Sequence, residues 1–154
     1  MKRKILMIGV VFALILTNCN AGEPVTKNTG KAVGSAEVVY LTNESFKEKV
    51  FNYEKNKEWK YEGTKPAIID FYADWCAPCR ELSPMLEELA KEYGDKIIVY
   101  KVDTEKEKKL AQTLGISALP TLLFIPVTGK PQVRMGLVPK TSLAQTIDEI
   151  LLTK

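Results

Sequence analysis

Two cysteines, Cys76 and Cys79, enclose Ala77 and Pro78 within the stretch Trp75-Cys76-Ala77-Pro78-Cys79-Arg80. Such a pair can be a structural staple, part of a metal clip or a reversible dithiol. The 154-residue chain has three cysteines, one of them Cys19 near the N-terminus, and no histidine. It therefore lacks the ligands of a four-cysteine zinc site, any imidazole ligand and any imidazole general base. A bridge closed over two intervening residues restricts the unfolded chain little, which disfavours the staple. Redox chemistry is left as the favoured reading. The apolar run Ala67-Ile68-Ile69-Asp70-Phe71-Tyr72 ends just before the pair, and an amphipathic helical pattern begins at it. At a helix start, unpaired N–H groups and the macrodipole favour a thiolate and lower the cysteine pKa.

The elements that must position this pair alternate along the chain. Val38-Val39-Tyr40-Leu41 reads as a short strand, and Thr42-Asn43 as an N-cap pair for a helix carrying Phe46, Val50 and Phe51 on one face. Asn52 to Lys65 is a charged connection whose Tyr53, Trp59 and Tyr61 are expected to pack over a core edge. Pro66 opens the apolar strand, which reads as covered on both faces. Beyond Cys76, Leu82, Met85, Leu86, Leu89, Ala90 and Tyr93 recur at helical spacing, with Pro84 expected to kink the helix and Gly94 to cap it.

Lys96 to Val102 is a second buried-type strand, and Glu105 to Lys109 is expected to open a third helix on a solvated, charged face. Thr121 to Pro126 and Gln132 to Leu137 form a hairpin around Thr128-Gly129-Lys130. A last helix carries Leu143, Ile147, Ile150 and Leu151. The order βαβαβ then ββα implies an α/β domain, a mixed five-stranded sheet with helices on both faces.

The first 36 residues differ in character. Lys2, Arg3 and Lys4 precede an apolar run from Ile5 to Leu16 that is short for a bilayer span and has the flank of an export signal. A transmembrane anchor is the alternative. Cleavage after Ala21 fits a general signal peptidase, which makes residues 1–21 a signal peptide. Leu16-Thr17-Asn18-Cys19 instead resembles a lipoprotein signal spanning 1–18, with Asn18 departing from the usual small residue; both routes stay open. Residues 22–36 are small and polar and read as a flexible linker, so the folded domain is expected over 37–154. The chain carries 22 Lys and Arg against 19 Asp and Glu. Loss of the three N-terminal basic residues brings that balance to zero, so nothing electrostatic points to nucleic acid or an anionic membrane.

With these pieces in place, the chain closely resembles the thioredoxin family over about Val38 to Leu152. The resemblance rests on Ile69-Asp70-Phe71-Tyr72-Ala73-Asp74-Trp75-Cys76-Ala77-Pro78-Cys79-Arg80, Ser83-Pro84, Val102-Asp103, Gly115 to Thr121, Gly129 and Gly136, in family order. Together with the export signal, it looks like an envelope thioredoxin of a Gram-negative periplasm. The resemblance implies a thioredoxin fold, with Cys76 as the exposed nucleophile and Cys79 as the more covered resolving cysteine. Asp70, a carboxyl in an otherwise apolar strand, is the candidate proton acceptor, because burial raises its pKa toward the working range. Lys101 aligns with the family's lysine near that aspartate.

The resemblance also implies a cis bond before Pro120 and a Leu119 backbone that pairs with a bound substrate strand. Trp75, Ala77, Pro78, Ala118, Leu119, Pro120 and Gly136 are the expected substrate-binding rim. Ala77 departs from the family's usual glycine, and the 52–65 connection is longer.

The leading functional expectation is a monomeric protein-disulfide reductase outside the cytoplasm, recharged by a membrane-embedded thiol reductase and needing no cofactor or metal. Its substrates are disulfide-containing proteins. The alternatives are an extracytoplasmic disulfide oxidase or isomerase, a reductant for cytochrome c maturation, and a non-catalytic thioredoxin-fold binding module.

Overall fold

Six residues of the strand before the cysteine pair, Ala67–Tyr72, send alternate side chains to opposite sides of a sheet, and both sides are covered. A computed structural model of the chain describes residues 38–153. The expected signal and linker, and Cys19, lie outside the described residues. Within them the order is β1 (Val38–Tyr40), α1 (Asn43–Lys49), β2 (Ala67–Tyr72), α2 (Ala77–Tyr93), β3 (Ile98–Asp103), α3 (Lys108–Thr113), β4 (Thr121–Ile125), β5 (Gln132–Met135) and α4 (Lys140–Thr146). A 3₁₀ turn at Gly94–Lys96 follows α2, and a wider π-type turn at Ile147–Leu151 extends α4.

The five strands form one mixed sheet in the order β1-β3-β2-β4-β5, with β1, β3 and β2 mutually parallel and β4 antiparallel to both of its neighbours, β2 and β5. On one side Ile68, Val99, Leu122 and Phe124 pack with Leu82, Leu86 and Leu89 of α2 and with Leu143, Ile147 and Leu151 of the C-terminal helical segment. On the other, Ala67, Ile69, Phe71, Tyr100, Val102, Leu123 and Ile125 pack with Phe46, Val50 and Leu110. Around β2, β3 and β4 both faces are therefore dry, which is why the parallel strands β2 and β3 read as apolar runs and not as alternating ones, while the edge strand β5 is exposed.

Local chemistry sets the element ends. Thr42 caps α1: its hydroxyl accepts from the Ser45 N–H at 3.2 Å, while Ser45 Oγ accepts from the Thr42 N–H at 2.8 Å. The free Asn43 N–H of the same helix end donates to Glu107 Oε2 at 2.9 Å, tying α1 to the start of α3. Helix α2 runs on through Pro84 and ends at Gly94, whose φ of +56° lies in the region that favours glycine.

Some boundaries move. The charged run after Thr104 starts as turns, and α3 begins only at Lys108, because Asp103 Oδ1 accepts from the Glu105 N–H and holds that segment in a turn. Strand β5 stops at Met135, where Gly136 leaves the ladder at φ +84°. The 52–65 connection forms neither helix nor strand. Its Tyr53, Trp59 and Tyr61 pack over the edge of the second core, and Trp59 lies 4.9 Å from the Phe51 ring centroid.

Candidate active site

Cys76 is the N-cap of α2, the position the sequence pattern required. Its Sγ accepts from the Cys79 N–H at 3.2 Å, one of the donors that a helix start leaves without an intrahelical partner. The two sulfurs are bonded to each other, with Cα atoms 5.3 Å apart. The preceding turn is held by the Cys76 N–H donating to the Ala73 carbonyl at 3.1 Å and by Arg80 Nη1 donating to the Asp74 carbonyl at 3.0 Å. One expectation is corrected. Cys76 is only 3% exposed, against 2% for Cys79, so Cys76 is not an open surface thiol. In the disulfide both sulfurs turn inward onto Ala73, with Tyr72 and Leu119 packed against them. Their asymmetry lies in helix position, not in overall exposure.

Opposite the disulfide stands the loop before β4. The Leu119–Pro120 bond is cis, Pro120 is buried, and Ala118 is exposed. Thr121 Oγ1 donates to the Ala118 carbonyl at 2.7 Å, and the Gly136 N–H donates to the Pro120 carbonyl at 2.8 Å. Leu119 lies between these two tethers and has no main-chain hydrogen-bond partner among the described residues. Trp75 is 68% exposed beside it. Trp75, Ile116, Ala118 and Leu119, with Glu105 and Lys108, wall an open cavity of about 330 Å³. Ala77 is exposed and Pro78 and Gly136 are partly so. The expected rim residues thus come together at the disulfide, and a polypeptide main chain can reach the Leu119 backbone there.

The acid lies behind the disulfide. Asp70 pairs in register with Lys101 of β3 on one side and Leu122 of β4 on the other. Strand alternation turns its side chain to the face covered by α2, the face of Ile68. It is fully buried, and neither carboxylate oxygen has a hydrogen-bond partner among the described residues. Burial pushes its pKa up to about 6, and the Lys101 ammonium, 3.5 Å from Oδ2, pulls it back only in part. Lys101 Nζ also donates to Ser83 Oγ and lies 4.7 Å from the Tyr72 ring centroid. A cavity of about 460 Å³ is lined by Lys101, Ser83, Cys79 and Tyr72, and it opens beside Asp74 and Arg80. Chemically, this is a disulfide at a helix start, with a buried carboxyl on the strand that leads into it and an unpaired backbone in front.

The family model for thioredoxin matches residues 37–149. The chain belongs to the thioredoxin family. It is 49% identical over 111 residues to a thioredoxin of Borreliella burgdorferi, covering 72% of this chain and 95% of that protein. It is 35% identical over 111 residues to thioredoxin 1 of Synechococcus elongatus, covering 72% and 94% respectively. Among solved structures, a chloroplastic thioredoxin z superposes with a TM-score of 0.63 at 25% identity, covering 74% of this chain and 94% of that one. Like other thioredoxins, the protein is a thiol–disulfide oxidoreductase that acts on disulfide-containing proteins, with its cysteine pair at the family's active-site position.

Sequence reasoning assigned Ser83 and Tyr72 no part in the site, although both contact Lys101. Ser83 had a usable signal. It lies four residues after Cys79, so the two share one face of α2, and that face looks onto β3.

Proposed function

We propose that the chain is a protein-disulfide reductase working outside the cytoplasm through its Cys-Ala-Pro-Cys dithiol. The observation that carries this reading is the Cys76 sulfur at the start of α2, accepting the Cys79 N–H at 3.2 Å. A sulfur held this way is favoured as thiolate, the attacking form. In the reduced protein the Cys76 thiolate attacks one sulfur of a substrate disulfide, forming a mixed disulfide and expelling a substrate thiolate. Cys79 then passes its proton to the Asp70 carboxylate and attacks Cys76 Sγ. The second substrate thiolate leaves, two electrons have passed to the substrate, and Cys76–Cys79 is a disulfide.

Leu119, free of internal main-chain partners among the described residues, receives the substrate strand, while Trp75, Ala77, Pro78, Ala118, Pro120 and Gly136 surround it. Lys101 keeps the buried Asp70 able to ionise.

The location rests on the basic start and apolar run of residues 2–16, which fit export to a periplasm, with release after Ala21 or lipidation at Cys19. In that compartment a membrane-embedded thiol reductase returns the disulfide to the dithiol. Between Tyr93 and Thr121 the chain holds only a 3₁₀ turn, β3 and α3. That leaves no place for the central insertion usual in reductants of cytochrome c maturation. The direction of electron flow is tested by the reduction potential, measured by equilibration with glutathione. A value near that of reducing thioredoxins, about −270 mV, is expected; one near about −120 mV, typical of a strong oxidant, overturns the reductase reading.

A further inference from the structure

The sheet face that carries Phe71 and Leu123 is covered at its centre and open at its β5 edge. Phe71 stands opposite Thr121, Thr121 opposite Met135 and Leu123 opposite Val133, so strand alternation sends these side chains to one face. Phe71 and Leu123 belong to the core with Phe46 and Leu110, whereas Val133 and Met135 stay 51% and 64% exposed. Beside them lies a cavity of about 270 Å³, walled by Trp59, Phe71, Leu114, Leu123, Val133 and Met135, and no residue lining it is charged. Trp59 is the contribution of the 52–65 connection, which thereby builds one wall. The cavity at Trp75, by contrast, carries Glu105 and Lys108.

The apolar cleft and the disulfide face are continuous. Ile116 and Ser117 line both cavities. Ser117 precedes Ala118 of the rim, and Met135 precedes Gly136 of the rim, so the cleft meets the rim at two points. Gly115, Ser117 and Ala118 are small and exposed, which keeps the ridge between the cavities low. Ile116 lies three residues from Leu119, at most about 11 Å away, a span that three residues of an extended client chain also cover.

We propose that this cleft is a second docking site for the client protein, taking a large apolar side chain such as leucine about three to five residues from the client cysteine. The role rests on the reading of the Leu119 backbone as the seat of the substrate strand, and adds a side-chain preference to it. Size decides the occupant. Small-molecule pockets ordinarily hold about 300–1,000 Å³, and this cleft, below that range, suits a side chain. Two exposed apolar residues on a four-residue edge strand fall far short of the roughly 800 Å² per partner of a stable dimer. A weak contact is enough for a segment already tethered at the disulfide, because tethering raises its effective concentration. Met135 brings a flexible thioether that adapts to side chains of different shape. A disulfide too small to reach the cleft is reduced without its help.

The test compares second-order rate constants for reduction by the reduced full-length protein. The substrates are a disulfide-linked peptide with leucine at each position within about seven residues of its cysteine, the same peptides with serine there, and bis(2-hydroxyethyl) disulfide. Leucine about three to five residues from the cysteine, on one side of it, is expected to raise the rate about tenfold over serine. Val133→Glu, which places a charge at the exposed mouth of the cleft, is expected to cut that preference to about twofold or less. Its rates on the serine peptides and on the small disulfide are expected to match the parent's, and Val133→Leu is expected to keep the preference. Equal rates for leucine and serine peptides in the parent, or a preference that survives Val133→Glu, overturn the proposal. So does a parent that sediments as a dimer while Val133→Glu is a monomer, because a second copy then fills the cleft. The small disulfide separates the two readings. If the parent does not reduce it or the peptides, the reductase reading falls and the docking site with it; normal reduction without a leucine preference removes the docking site alone.

Discussion

Asp70 and Lys101 sit directly across from each other on adjacent parallel strands, both buried, with Oδ2 and Nζ 3.5 Å apart and no hydrogen bond completing the pair. A buried ion pair that stops short of contact leaves its carboxylate incompletely compensated for lost hydration, so the acid form gains. Burial raises the Asp70 pKa to about 6, and Lys101 lowers it only in part.

Asp70 should therefore contribute a pH dependence to stability. The folded-state pKa lies above the unfolded value near 3.8, so between about pH 4 and 6 the native state binds more protons than the unfolded one. The stabilising contribution of protonated Asp70 is complete below the unfolded pKa and lost as pH rises through about 6. Asp70→Asn, which removes the charge, is accordingly expected to be more stable than the parent at pH 8 by about 2–3 kcal/mol. The advantage is expected to shrink below pH 6 and to disappear near pH 4. Urea unfolding of both oxidised proteins across this range is the check; a constant difference at all pH values contradicts the assignment.

The same group shapes the rate. In the proposed mechanism only ionised Asp70 accepts the Cys79 proton, so the resolving step is expected to accelerate as pH rises through about 6 and then to level off. Asp70→Asn should lose that inflection and slow resolution at pH 7 by roughly tenfold or more. Stopped-flow reduction of a disulfide peptide, read as a pH profile, distinguishes loss of the inflection from a uniform fall in activity.

Lys101→Met should act in the opposite sense to a stronger ion pair. Removing the charge that lowers the Asp70 pKa is expected to raise its midpoint above the parent's. At neutral pH the resolving step then has less carboxylate available. An NMR titration of the carboxyl in the oxidised variant gives the shift directly, and a midpoint equal to or below the parent's is the contrary outcome.

The 52–65 connection calls for a different experiment. Trp59 packs on Phe51 at 4.9 Å and over the second core, and its buried Nε1 has no partner among the described residues. Trp59→Ala is expected to destabilise the fold by about 2–3 kcal/mol, less than for a fully enclosed tryptophan. Trp59→Phe keeps the ring contact and removes the unpaired N–H, so it is expected to cost less than half as much. Urea unfolding gives both values, and disulfide reduction at low temperature should be near the parent's rate in each.

Much of this was legible because the pattern and the chemistry coincide. The apolar run containing Asp70 reads as a strand with a buried acid, and the structure buries that acid completely. The helical period after Cys76 reads as α2, and Leu82, Leu86 and Leu89 are its buried stripe. Other features depended on contacts that a linear pattern does not carry. The run from Glu105 to Lys109 has a helical charge pattern, but the Asp103 side chain holds a turn before α3 and delays the helix. The inward turn of Cys76 comes from its bond to Cys79 and from packing on Ala73, which no periodicity encodes. The contact of Ser83 with Lys101 joins a helix face to a strand 18 residues away in sequence. Its spacing from Cys79 marks the helix face, but not the partner.

The most direct test of the central claim is covalent trapping in the cells that make the protein. With Cys79→Ser the resolving step is blocked, and mixed disulfides to substrate proteins are expected to accumulate through Cys76, to dissolve with dithiothreitol and to be absent from Cys76→Ser. Absence of any adduct on Cys76, or adducts formed equally well through Cys79 in Cys76→Ser, would contradict a reductase built on a Cys76 nucleophile.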